Sequence, residues 1–396
     1  MEIFDLAILL LGAKIGGAIF NKLNQPSLVG ELLAGIVLGS SILGIVKPSS
    51  IVDATSQLGL MFLVLLTSLS IDWKKIENKV ESLSIIELIM ASLIFISTYL
   101  IGSIFNWNFY TKVVIALALV QSSLAIASRT LTNLGKLNSS EGETIIGLQI
   151  VDDIAAILNI SILASFLKNS TIGAEPILKL LFIIIGFFVV VRGTVSKAVS
   201  WLIDALQKYG LEEVFLGVTL LFAFLLATFT EKLGMASFLG VFLAGIALSK
   251  TNQSGILLQK VKEIGEAFFI PIFFASIGLG INILSVYQQV YFVIPFIILI
   301  IAIKWISSSI PFMLFGYSSN ESLKMGSGMI SISEVALIIL SMGLSAKVLD
   351  ELMYSIMVVS FIVVNILSPM IMNLIFKTSE LSCKRRKFYR KIFKMI

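Results

Sequence analysis

Residues 22–39 read KLNQPSLVGELLAGIVLG, and residues 232–249 read KLGMASFLGVFLAGIALS. Lys22, Leu23, Ser27, Gly30, Leu33, Ala34, Gly35, Ile36 and Leu38 each recur, unchanged, at one constant offset. The register continues to Ser68-Leu69-Ser70-Ile71 against Gly278-Leu279-Gly280-Ile281. One register held over about fifty residues marks an internal repeat. Both copies are apolar and studded with Gly and Ala, a composition that lets helices approach closely in lipid.

The rest of the chain has the same character. Of its 396 residues, 57% are hydrophobic and 13% are charged, and the mean hydropathy is +1.01. A soluble domain carries about twice that charged fraction, and a water-soluble fold of this composition would expose large apolar patches. The class is therefore a polytopic membrane protein. Cys383 stands alone in a basic tail and histidine is absent, which excludes disulfide frameworks, ordinary zinc sites and histidine-based pH switches. The net charge of +5 comes from loops and the tail and is no nucleic-acid signal. The N-terminus lacks a basic region before its first apolar stretch, so no cleaved signal peptide is expected.

A spanning helix needs about 20 mostly apolar residues. That criterion places spans near 3–20, 27–46, 55–71, 83–104, 111–134, 143–167, 177–201, 213–231, 235–250, 264–285, 289–316, 323–345 and 350–376, about thirteen in all. Putting the basic tail 377–396 in the cytoplasm divides the loop and tail Lys and Arg residues 21 to 6 in favour of that side, as the positive-inside rule requires. The N-terminus is then external. Lys22 and Lys232 fall on opposite sides, so the two copies are expected to have inverted topology.

Few charges lie where charges are expensive. Asp152 and Asp153 sit mid-span in GLQIVDDIAAILNIS. Neighbours on a helix diverge by about 100°, so one carboxylate can hold a structural partner while the other faces a cavity. Two close carboxylates also resist double ionisation. A carboxylate in a dry site is both a hard-oxygen ligand for sodium and a proton acceptor. Competition for one such group is the simplest exchanger. Lys304, mid-span in IILIIAIKWISSSIPF, cannot reach either surface easily and needs a counter-ion, for which the Asp pair is the candidate. Gln121, Ser122 and Ser123 can satisfy a locally broken helix and lend oxygens to a cation. Glu31, Glu334 and Lys14 lie nearer span ends, as possible supports or interhelical ion pairs. Pro271 can kink the span containing it.

With these residues in view, the chain resembles bacterial and archaeal sodium/proton antiporters of the monovalent cation:proton antiporter-2 family. The likeness covers nearly the whole chain: KLNQPSLVGELLAGIVLG, QIVDDIAAIL, LGVFLAGIALS, PIFFASIGLGIN, Lys304 and GSGMISISEVALII. The Asp pair with a distant lysine is its specific element. The resemblance implies an all-α transmembrane domain over 1–376. In it a core (83–167 and 289–376) carries the ion site, a dimerisation part (3–71 and 213–285) builds a homodimer, and a linker helix (177–201) joins them. It implies elevator-like movement of the core and broken helices crossing near Gln121–Ser123. It implies sodium at Asp153 and Asp152, with Asp153 the principal ligand and Asp152 paired to Lys304. Two aspartates imply electrogenic exchange and favour sodium or lithium over potassium. No cofactor is implied beyond the transported Na⁺, Li⁺ and H⁺.

The chain departs from the family pattern at Ser68-Leu69-Ser70, where Gly-Leu-Glu is usual, and at Ile332-Ser333-Glu334, where Arg-Gly-Glu is usual. About twenty residues follow the last span, too few for a regulatory nucleotide-binding domain. The reading is therefore a sodium/proton exchanger of the plasma membrane, not an enzyme, with potassium/proton exchange as the alternative. An intramembrane aspartyl protease needs its two acids on facing helices, whereas here both lie on one. A channel needs a continuous polar path, which two acids and one lysine hardly supply.

Overall fold

The computed structural model describes residues 2–23, 25–70, 79–169, 201, 205, 208, 214–232, 237–249 and 251–393. Within them every regular element is helical. The helices are α1 (Glu2–Lys22), α2 (Ser27–Leu38), α3 (Ser50–Leu69), α4 (Val80–Ile104), α5 (Phe109–Val120), α6 (Leu124–Asn133) and α7 (Ser140–Asn169). They continue as α8 (Phe215–Lys232), α9 (Ser237–Ser249), α10 (Ser254–Ile264), a π-helical turn at Gly265–Phe269, and α11 (Ile270–Leu279). The remainder are α12 (Ile283–Gln288), α13 (Val290–Leu314), α14 (Ser319–Ser327), α15 (Val335–Ser345) and α16 (Glu351–Phe393).

Among the described residues, seven helical stretches are long and apolar enough to cross a membrane, and α2, α9 and α15 are shorter apolar helices. The expected spans fall on these elements with several differences: α2 stops at Leu38 rather than near 46, and the span expected at 264–285 is divided among the π-helical turn, α11 and α12. The span expected at 323–345 is two helices, α14 and α15, separated by irregular backbone. The last span does not stop near 376: α16 runs on through Thr378 into the basic tail as far as Phe393, no Gly or Pro intervening after Pro369. The linker helix expected at 177–201 lies outside the described residues except for Trp201.

The chain divides into two compact units, Met1–Lys75 with Ile154–Ile283, and Ile76–Asp153 with Leu284–Ile396. In the first unit α2 packs against α1 and α11, and α9 against α8 and α3. These contacts repeat with the sequence. Gly30 meets the backbone of Gly16 on α1, and its counterpart Gly240 meets the backbone of Leu226 on α8. A methyl group on Gly35 would stand 2.0 Å from the Ala275 carbonyl oxygen. Its counterpart Gly245 lies against Ser68 and the Leu65 carbonyl, and Leu65 is the counterpart of Ala275 in the repeat. The two copies thus make equivalent contacts with each other's third element. Pro271 stands at the start of α11, just after the π-helical turn, where its missing N–H and ring bulk are accommodated without a clash in mid-helix.

In the second unit α13 packs against α4, α14 and α16, while α15 lies against α5 and α16. The buried positions of α4 (Leu83, Glu87, Met90, Ile94 and Thr98) fall at helical spacing and form the stripe it turns inward. Its opposite side, with Ile85, Leu88, Ile96 and Leu100, is exposed, as a lipid-facing surface should be.

Candidate ion-binding site

The α5–α6 helix pair is broken at Gln121–Ser123. Gln121 and Ser123 both have extended backbone, so carbonyls at the end of α5 and amides at the start of α6 lose their helical partners. The α14–α15 pair is broken likewise at Gly328–Glu334. The two breaks lie against each other. Ser333 N–H donates to Gln121 O at 3.3 Å, Ser122 Oγ to Met329 O at 3.1 Å, and Ser331 Oγ to Ser123 O at 3.4 Å.

Two further side chains clamp this crossing. Gln149 Nε2, one turn before the Asp pair on α7, donates to both Ser123 O (3.2 Å) and Gly328 O (3.1 Å). Asn365 on α16 accepts from Ile332 N–H at 2.8 Å and donates to Ile332 O at 2.9 Å. Both are fully buried. Irregular backbone at membrane depth needs internal hydrogen-bond partners of this kind.

The broken helix presents opposite charges at its two cut ends, and the buried ions sit accordingly. Lys304 on α13, fully buried, donates through Nζ to Leu119 O at 2.7 Å, Gln121 O at 3.1 Å and Ser122 Oγ at 3.3 Å. It caps the carbonyl end of α5. Asp152 Oδ2 accepts the Ser122 backbone N–H at 2.6 Å, at the amide end that begins α6. The direct Lys304–Asp152 ion pair expected from the sequence is not formed. Nζ contacts no carboxylate among the described residues, and Asp152 acts on it through the intervening field. The reason is geometric: the break offers each ion a partner of its own, and Ser122 stands between them, touching both.

Asp153 is different. It is buried, with 8% of its surface accessible, and no group among the described residues donates a hydrogen bond to it. It faces Asp152 and Glu334 electrostatically, and Glu334 opens α15 at the second break. Asp152 is thus held by a backbone amide, and Asp153 has no donor among the described residues. Gln121, Ser122 and Ser123 are all buried at the crossing. Glu31 is not part of this cluster. It lies in the first unit, buried where α2 meets Gly17 of α1 and in the field of Lys14 and Glu266.

Sequence reasoning passed over three residues: Gln149, Asn365 and Glu87. Glu87 is 3% exposed and lies with its carboxyl in hydrogen-bonding reach of Asp152 and in the field of Lys304. Its signal was present, since Glu87 shares a helical stripe with Leu83, Met90, Ile94 and Thr98, but it lies close to the expected start of a span.

A profile of the family described as "Sodium/hydrogen exchanger, transmembrane" matches residues 7–378. The chain belongs to the sodium/hydrogen exchanger family. This exchanger-family chain is 31% identical over 348 residues to the Bacillus cereus protein named "Probable Na(+)/H(+) antiporter GerT", covering 88% of this chain and 92% of that one. It is 29% identical over 390 residues to the "Na(+)/H(+)-K(+) antiporter GerN" of the same organism, covering 97% and 98%. It is 28% identical over 368 residues to the "Na(+)/H(+) antiporter" of Enterococcus hirae, covering 93% and 96%. Its fold matches that of the sodium proton antiporter MjNhaP1 from Methanocaldococcus jannaschii with a TM-score of 0.67, at 15% identity, over 97% of this chain and 98% of that one.

Proposed function

We propose that this protein exchanges sodium, or lithium, for protons across the plasma membrane, and that Asp153 is the carboxylate for which the two compete. The observation that carries this reading is Asp153, buried without a donor among the described residues in the same unit as the crossed helix breaks, in a chain of the sodium/hydrogen exchanger family. Asp153 offers hard oxygen atoms that no donor among the described residues occupies, and sodium and a proton are alternative occupants of that place. Asp152 and Lys304 hold the two ends of the broken helix and keep the local charge near balance, so arrival of either ion at Asp153 perturbs them both. Glu334 adds a further acid whose field reaches Asp153.

Alternating access follows from elevator-like movement of the part bearing the ion site against a homodimeric part built from the repeat-containing helices. The basic tail lies in the cytoplasm and the N-terminus outside, in keeping with the distribution of Lys and Arg. Exchange is electrogenic, both aspartates taking part in the cycle.

The test uses purified protein in liposomes with an internal pH dye and an imposed proton gradient. Sodium, lithium and potassium are added in turn. Alkalinisation by sodium and lithium, lost in Asp153→Asn while the variant remains folded, is the expected result. Near-normal exchange by Asp153→Asn removes Asp153 from its role, and a response to potassium alone assigns potassium/proton exchange instead.

A further inference from the structure

The second unit contains a cavity of about 790 Å³ at the opposite end of α5 from the helix break. It lies between the loop joining α4 to α5 and the loop joining α15 to α16. Sites for small ligands usually enclose about 300–1,000 Å³. Its walls are held in place. Trp107 stacks on Phe105 and meets Phe296 edge to face. Thr111 Oγ1 donates to Val348 O at 2.8 Å, tying the start of α5 to the loop after α15. Asn108 caps α5 by accepting the Thr111 N–H, and Asp350 caps α16 by accepting the Met353 N–H. Two helix N-termini therefore open on the cavity, an arrangement that favours an anion.

The charges of the lining are not spent on each other. Lys347, Asp350 and Glu351 all face the cavity, and no ion pair joins the lysine to either acid among the described residues. Lys347 also sits at φ 56°, in the left-handed region that glycine enters freely and other residues enter at a cost. The ends of α6 and α13 place Gly135 and Gly316 in that conformation. A lysine kept where glycine would be easier points to a use for its side chain. The setting is that of a membrane interface. Phe105, Phe109 and Leu352, which flank the lining in sequence, are exposed apolar side chains, and a tryptophan just past the end of a spanning helix belongs to the aromatic belt. Because α16 starts at the cavity and ends in the basic tail, the cavity lies at the membrane surface opposite the tail.

A ligand that satisfies this lining carries a primary ammonium for Asp350 and Glu351, a phosphate for Lys347 and the helix N-termini, and an apolar part for Trp107 and its exposed neighbours. We propose that the cavity is a headgroup site for an aminophospholipid, taking the ethanolamine phosphodiester between Lys347 and the two acids. The cavity spans the far ends of α5 and α15, whose other ends adjoin the two breaks. A seated headgroup therefore braces the half-helices that lead to the ion site.

The experiment is thermal unfolding of the full chain in detergent. Phosphatidylethanolamine, phosphatidylcholine and phosphatidylglycerol with the same acyl chains are added in turn, and then soluble glycerophosphoethanolamine. Phosphatidylethanolamine should raise Tm by several degrees more than the others, since the choline ammonium has no N–H to donate and the glycerol headgroup has no ammonium. Lys347→Gly removes the charge and relieves the backbone, so it should keep or raise the lipid-free Tm while losing the ethanolamine-specific increment. The double variant Asp350→Asn, Glu351→Gln keeps the α16 cap through the amide oxygen and should lose the preference for ethanolamine over choline. Equal increments from all three lipids in the wild type, or a full ethanolamine-specific increment in both variants, overturn the proposal. An increment matched by the soluble headgroup overturns the lipid source and makes the free phosphodiester the occupant. Should Lys347→Gly not fold, Lys347→Gln takes its place, and its loss or retention of the increment is read in the same way.

Discussion

Replacing Gln149 with leucine tests the idea that the two helix breaks form one mechanical unit. The amide Nε2 gives its two protons to Ser123 O and Gly328 O, at 3.2 Å and 3.1 Å, one on each break. Leucine is of similar size and apolar, so the substitution removes both donors with little change in volume. Each lost hydrogen bond is worth about 1 kcal/mol in a protein interior and about 0.6 kcal/mol between membrane helices. Together the two set a loss of about 1–2 kcal/mol. Gln149 Oε1 has no donor in the folded protein, and removing that buried oxygen returns part of the loss. The expected outcome is a fall in Tm of a few degrees, measured by intrinsic fluorescence in detergent. Sodium turnover should fall more sharply than stability, because Ser122, the link between Lys304 and Asp152, stands beside the loosened Ser123. An unchanged Tm with unchanged turnover would refute the argument that Gln149 clamps the crossing.

Other perturbations probe separate links. Asn365→Leu removes both hydrogen bonds to Ile332 and should lower Tm by an amount comparable to Gln149→Leu, with the two effects coupled in a double-mutant cycle because they act on one break. Lys304→Ala should lower thermal stability markedly, since it leaves the carbonyls of Leu119 and Gln121 without that donor and removes the cation that caps the end of α5; stability at the wild-type level would show that Lys304 is not what holds the end of α5. Gly35→Ala places a methyl within 2.0 Å of the Ala275 carbonyl oxygen, backbone that cannot swing aside. It should reduce the yield of folded protein, as should the equivalent change at Gly30, measured by size-exclusion chromatography after extraction.

Much of this protein was legible from sequence. Hydropathy alone sets the class, because lipid is the one solvent that tolerates such a surface. The repeat at 22–39 and 232–249 is written in identities, and the glycines it carries are those at which backbones touch. Mid-span Asp152, Asp153 and Lys304 stand out since a charge in a long apolar run needs a reason, and the polar run Gln121–Ser123 marks the first break. Glu87, Gln149 and Asn365 were less visible. Amides and carboxylates near the ends of apolar runs read as ordinary interfacial residues until the facing helix is known.

Sequence by itself determined the membrane class, the repeat and the identity of the buried ions, because each is written in local composition and pattern, while the place of the first break was what the family resemblance implied. The tertiary structure alone decided which groups those ions meet. A helical pattern tells which side chains share a face, but not which helix lies opposite. Only folding brings the break at Gln121–Ser123 against the one at Gly328–Glu334, and only that crossing offers Lys304 a set of carbonyls and Asp152 an amide. The expected ion pair thereby became two charges seated at opposite ends of a cut helix, with Ser122 between them and Asp153 left open.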